Sequence, residues 1–123
     1  MTIKSSDYSC DDGILYSKSM LIESPSDVED LSFFFIDRAI TLSKIRPILV
    51  GSSPSVTWTL RRDTDRNAIG TEIIIGGTTS TEVTTGIDIT TFDAAFIPAN
   101  SHVWLETTAK SGTIDSINLT IFY

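Results

Sequence analysis

Histidine and cysteine are nearly missing from this chain, which has one of each, His102 and Cys10. A single cysteine excludes an intrachain disulfide. Zinc wants clustered Cys and His, so a zinc site is not expected. Nucleophilic catalysis through an imidazole base would rest on His102 alone, and no Gly-x-Ser-x-Gly elbow is present. By the period of two, His102 stands with Trp104 and Glu106 on the face opposite Val103 and Leu105. Cys10 lies in an acidic stretch, Ser9–Gly13, where its neighbours disfavour a reactive thiolate.

Positive charge is also scarce. Nine Lys and Arg stand against 16 Asp and Glu, for a net charge of −7 and a pI near 4.4. A surface of that sign repels phosphate backbones, so no nucleic-acid partner is expected. Arg61, Arg62 and Arg66 do cluster, but Asp63 and Asp65 interleave them into a self-neutralising connection. Long apolar runs are absent. The longest, Phe33–Ile36, is strand-sized and too short to span a membrane. Met1–Ser5 is not followed by the apolar core of a signal peptide. The expectation is a soluble protein made in a cytoplasm, leaving it only as part of a particle. Gly76-Gly77 is followed by Thr78 rather than by a phosphate-binding lysine, and no dinucleotide fingerprint occurs. No cofactor is implied.

What the chain has in plenty is β-formers. Threonine makes up about one residue in seven, and β-branched side chains suit a pleated sheet. Residues 1–16 read as a polar arm and 17–123 as one domain. Strands are expected over 18–23, 31–37, 39–50 (interrupted near Ser43-Lys44), 55–61, 71–75, 78–85, 102–108 and 113–123. Pro47 implies a bulge or an edge, and the phase change between Ile114 and Ile117 implies a bulge near Asp115-Ser116. Turns are expected at Gly51–Pro54 and Ser111-Gly112. The connections are too short for parallel crossovers. The fold class is therefore all-β: an antiparallel two-sheet β-sandwich, jelly-roll-like, with eight or nine short strands.

Carboxylates are the remaining source of chemistry. Asp63, Asp65, Glu72, Glu82, Asp88, Asp93, Glu106 and Asp115 are candidates for an acid–base pair, but their spacing joins no two of them. Asp63-x-Asp65 and Asp11-Asp12-Gly13 are the only calcium cues, and neither carries the rest of a binding loop. Trp58 shares a face with Val56 and Leu60 and reads as core. Trp104, on the face away from Val103 and Leu105, reads as an interface or sugar-stacking residue. In Leu31–Asp37, Leu31, Phe33 and Phe35 share one face while Phe34 and Ile36 fall on the other, so the strand needs cover on both sides.

One further pattern is specific. Val50-Gly51-Ser52-Ser53-Pro54-Ser55-Val56-Thr57-Trp58-Thr59-Leu60-Arg61, Thr64–Glu72, Gly76–Thr79, Phe92-Asp93 and Ile97–Thr108 together resemble a recurring module of bacteriophage virion proteins. The stretch Ile97-Pro98-Ala99-Asn100-Ser101-His102-Val103-Trp104-Leu105 is its most distinctive part. The resemblance runs from about Glu23 to the C-terminus. It implies a trimer-forming β-sandwich with a place in the virion and no enzyme activity. Such modules tend to close tail fibres, but this one is expected to stand almost alone, without a long fibrous stem. The expectation is therefore a non-enzymatic capsid decoration, or cement, protein, with itself (as a homotrimer) and the major capsid protein as partners. Phe34, Ile36 and Trp104 are the expected interface residues. The alternative is a receptor- or carbohydrate-binding module of a tail appendage, with a host surface glycan as ligand.

Overall fold

The computed structural model describes residues 16–81 and 85–123. Cys10, Asp11-Asp12-Gly13, Glu82 and nearly all of the expected arm lie outside them. The described residues contain eight strands and no helix. They are β1 (Ser17–Glu23), β2 (Asp30–Ile36), β3 (Ile40–Thr41), β4 (Lys44–Asp63), β5 (Thr71–Glu72), β6 (Thr78–Thr81), β7 (Phe96–Ile97) and β8 (Ser101–Phe122). They form two antiparallel sheets, one of six strands and one made of β3 and β7.

The length distribution departs from the expectation of eight or nine mostly short strands. β4 and β8, of 20 and 22 residues, pair with each other along almost their whole length. Gly51–Pro54 and Ser111-Gly112 are not hairpin turns but facing irregularities inside this ribbon. The register slips between Val50 and Gly51 and again between Ser52 and Ser55. Ser53 and Gly112 take positive φ, 48° and 73°. A Cβ on Gly51 would collide with the Thr113 carbonyl oxygen, and one on Gly112 with that of Ser53. The backbones cross too closely there for any side chain. The first slip leaves Asp115 unpaired, which is the bulge expected from the phase of Ile114 and Ile117.

The ribbon folds back on itself at this point. Lys18 is in register with Ile121, and Phe34 with Val103, at opposite ends of β8. Along a straight strand those positions would lie about 60 Å apart. The Lys18 ammonium instead sits 5.5 Å from the Phe34 ring centroid. The bend thus divides the large sheet into two halves. In the first, β1, residues 116–122 of β8 and residues 44–50 of β4 lie side by side. In the second, β2, residues 101–107, residues 55–63, β5 and β6 do.

Their inner faces share one core. Ile45, Leu49, Ile117, Leu119 and Ile121 come from the first half, and Val56, Trp58, Leu60, Val103 and Leu105 from the second. Trp58 is core as its phase predicts, with its indole N–H donating to Ser80 Oγ at 3.0 Å. Pro47 explains itself by direction. Ile45 exchanges both backbone bonds with Ile89, away from β8. Pro47, two residues on, therefore turns its missing N–H to the same outer edge, and no ladder bond is lost. The loop between β1 and β2 is pinned by Thr107, whose buried hydroxyl accepts from the Glu29 N–H at 2.7 Å and donates to the Ser26 carbonyl at 3.1 Å.

Candidate interface

The three expected interface residues do not form one surface. Trp104 does point away from Val103 and Leu105, but it is only 1% exposed. The 64–70 segment folds back over it. Gly70, at φ 80°, lies so close that a Cβ would stand 2.7 Å from the indole ring. The Arg66 guanidinium covers the ring at 4.6 Å from its centroid. Arg66 also donates to Ser32 Oγ at 2.9 Å and pairs with Asp30, both on β2. The indole N–H donates to Glu106 Oε2 at 3.3 Å, and Glu106 Oε1 accepts from Arg61 Nε at 2.7 Å. Arg61 reaches Glu72 as well, at 3.7 Å. The charged connection expected at 63–70 is thus a strap that clamps the outer face of the second half, with Trp104 as its anchor. Trp104 is therefore buried rather than exposed as expected.

Ile36 is also corrected. The β2–β8 register shifts between Ser32 and Phe34, so Phe33 is a bulge residue. The bulge reverses the alternation after Ser32. Leu31, Phe34 and Ile36 then face inward, and Phe35 faces out. Ile36 is 6% exposed and belongs to the core, while Phe34 is partly buried against it. Phe35, which alternation alone assigns to the interior, is 50% exposed and packs its ring 4.9 Å from that of His102.

The candidates for chemistry are dispersed. Asp63 is the cross-strand neighbour of His102, but its Oδ1 accepts the Asp65 N–H at 2.9 Å. Asp65 in turn accepts from the Asn67 N–H at 2.9 Å, so the Asp63-x-Asp65 cue is a pair of turn-forming carboxylates. Asp93 accepts from the Ile75 N–H at 2.7 Å. Asp88 takes Arg46 at 2.7 Å and Lys44 at 3.5 Å. The hydrogen bond from Arg46 holds the Asp88 carboxyl below its ordinary value and raises that of Arg46. Asp115 stands exposed at its bulge. Among the described residues no three His, Cys, Asp or Glu side chains are grouped as a metal would require. A cleft of about 190 Å³ is lined, among the described residues, by Pro47, Ser80, Ile87, Ile89 and the β6 threonines, none of them charged.

A surface that periodicity did not single out is the outer face of the first half. Cross-strand partners share a face, which gives the rows Ser17–Phe122–Lys44, Ser19–Thr120–Arg46, Leu21–Asn118–Ile48 and Glu23–Ser116–Val50. Leu21 is 59% exposed and Val50 39%. Ser19 and Thr120 join their hydroxyls at 2.7 Å. Lys44 lies over the Phe122 ring at 4.7 Å, and both it and Arg46 contact the Asp88 carboxylate. The signal was available in the sequence. Ser17, Ser19 and Leu21 alternate with Lys18, Met20 and Ile22, and Asn118 and Thr120 alternate with Leu119 and Ile121.

Compared with protein-family models, with characterised proteins and with solved structures, the chain finds no match.

Proposed function

We propose that this chain is a non-enzymatic structural subunit of a bacteriophage virion. In this reading it is a decoration protein that binds the major capsid protein and copies of itself and stabilises the head lattice. The observation that carries it is the outer face of the first half. In a chain of net charge −7, the two middle rows of this three-stranded face are Ser, Thr, Asn, Leu and Ile with Arg46 at one edge, and Arg46 and Lys44 both contact Asp88. Interface centres are depleted in charge in the same way. The fold that accompanies this reading is a jelly-roll-like sandwich whose two layers are the two halves of the bent sheet. The virion module that residues 97–108 resemble supports the assignment to a particle.

The glycan-binding alternative drew on Trp104 as a stacking platform, and that side chain lies beneath the 64–70 strap. The test is direct imaging of a tagged copy on intact particles. Regular label over the head is expected. Label confined to a tail tip would make the protein an appendage module, and label on no particle would overturn the virion reading.

A further inference from the structure

The strap over Trp104 is bonded to itself more than to the sheet it covers. It is the loop between β4 and β5, whose strands are closed beneath it by the pairs Arg61–Glu72 and Arg62–Thr71. Asp63 and Asp65 each accept from the backbone N–H two residues on, and the Asp65 carbonyl accepts from the Ala68 N–H at 3.0 Å. Among the described residues no backbone–backbone hydrogen bond runs from 64–70 to any strand.

Two arginines make the attachment instead. At the root of the strap, Arg61 of β4 donates to the carbonyls of Ile69 and Gly70, both at 3.3 Å. At its tip, Arg66 reaches across β8 to Ser32 and Asp30 of β2 and lays its guanidinium over the Trp104 ring. Among the described residues Arg66 is the one strap side chain that forms a hydrogen bond or ion pair with β2 or β8. The strap brings no large apolar side chain to the indole, since Ile69 is 82% exposed.

We infer that residues 64–70 form a hinged lid latched by Arg66, which swings off Trp104 as a unit while the sheet beneath stays paired. The hinge lies at the ends of the loop, where the Arg62–Thr71 pair fixes the root and Gly70 turns at φ 80° beside it. Opening there breaks no ladder bond. The Asp63 and Asp65 turns keep the strap folded as it moves. A segment with few apolar contacts and no backbone bonds to its surroundings opens at a lower free energy than the whole domain. Lifting the lid uncovers the indole face, the Ser32 hydroxyl and the Asp30 carboxylate, the groups that Arg66 occupies when closed. The second half is therefore shut by a latch rather than by permanent packing. The latch includes a partly exposed ion pair, so ionic strength sets how often the lid opens. The lid stands independently of the virion reading, since it follows from contacts within one chain.

The test is hydrogen exchange at the two indole N–H groups, followed by NMR on the full chain. Both are hydrogen-bonded on buried side chains, Trp58 to Ser80 in the core and Trp104 to Glu106 under the strap. The Trp104 indole is expected to exchange about tenfold faster than that of Trp58 or more, because it needs only the local opening. Low urea should speed Trp58 and leave Trp104 unchanged, since lifting the lid exposes little surface. Arg66→Met keeps the stem and removes the charge. It should raise the Trp104 rate about fivefold or more while leaving Trp58 unchanged. Concentrated salt should raise the Trp104 rate in the unsubstituted protein and not in Arg66→Met. Arg38→Met, at an exposed arginine over Tyr16, should change neither indole. Equal rates and equal urea dependence at the two indoles would overturn the lid. So would an Arg66→Met variant that moves both rates together or neither, or a salt effect that survives Arg66→Met.

Discussion

The two halves of the bent sheet are made from the same two long strands, yet they treat their outer faces in opposite ways. The second half recruits a strap. Residues 64–70 return over β8, and Trp104, Arg66, Arg61 and Glu106 tie the strap to three strands. Among the described residues nothing folds over the outer face of the first half, where Leu21, Ile48 and Val50 stand among small polar side chains. A sheet needs one covered face to fold. The inner core already supplies that for both halves, so the strap is an addition. Among the described residues the strap lies on one half alone and so separates a closed outer face from an uncovered one.

Breaking the closed half should have the largest effect. Trp104→Ala removes a fully buried indole and leaves Gly70 and Arg66 over a void. A loss of about 3–5 kcal/mol in urea unfolding is expected. Amide exchange over 64–70 should accelerate more than exchange in β1, and a uniform acceleration would mean that the strap is not a separate layer. The corner between the halves comes next. Gly112→Ala adds a Cβ at positive φ and against the Ser53 carbonyl. A cost of about 2–4 kcal/mol is expected from the conformation and the overpacking together.

The smallest effect belongs to the open half. The carboxyl of Asp88 is depressed in the folded protein by the hydrogen bond from Arg46. A depressed carboxyl contributes stability above its ordinary value of 3.8 and loses it as pH falls through the folded value. Asp88→Asn should therefore lower the melting temperature slightly at neutral pH, and the difference should vanish in strong acid. High salt should shrink it too, because the pair is exposed to solvent.

Much of the inner architecture was legible in the residues. The alternation of Val56, Trp58 and Leu60 gave a strand and its buried face, and Pro47 marked an edge. The misphasing of Ile114 located the bulge at Asp115. The errors share one physical origin. Gly51–Pro54 and Ser111-Gly112 have the composition of hairpin turns. A facing pair of bulges in a continuous ribbon demands the same residues, for the same backbone angles. Only the register between strands distant in sequence separates the two cases. The bulge at Phe33 likewise has no local signature in Phe33-Phe34-Phe35, where each residue is apolar on either face, so the alternation was carried one residue too far. Trp104 was given its correct side of the sheet. Its burial depends on a strap from 34–40 residues earlier in the chain, and alternation within β8 carries no information about that.

The position of β8 also governs how this chain can fold while it is being made. β1, β2 and β4 all take their main partner from residues 101–122, which are synthesised after all three. Until that strand emerges, the earlier ones lack their main partner, and β1 and Phe33–Ile36 wait without a ladder. Before then only the β4 ladders with β5 and β6 can form, so stepwise folding from the N-terminus during translation cannot complete the large sheet. It must be completed in one late event, dominated by contacts far apart in sequence and slow for that reason. During that interval the nascent chain is most open to capture by chaperones, by proteases or by its own copies.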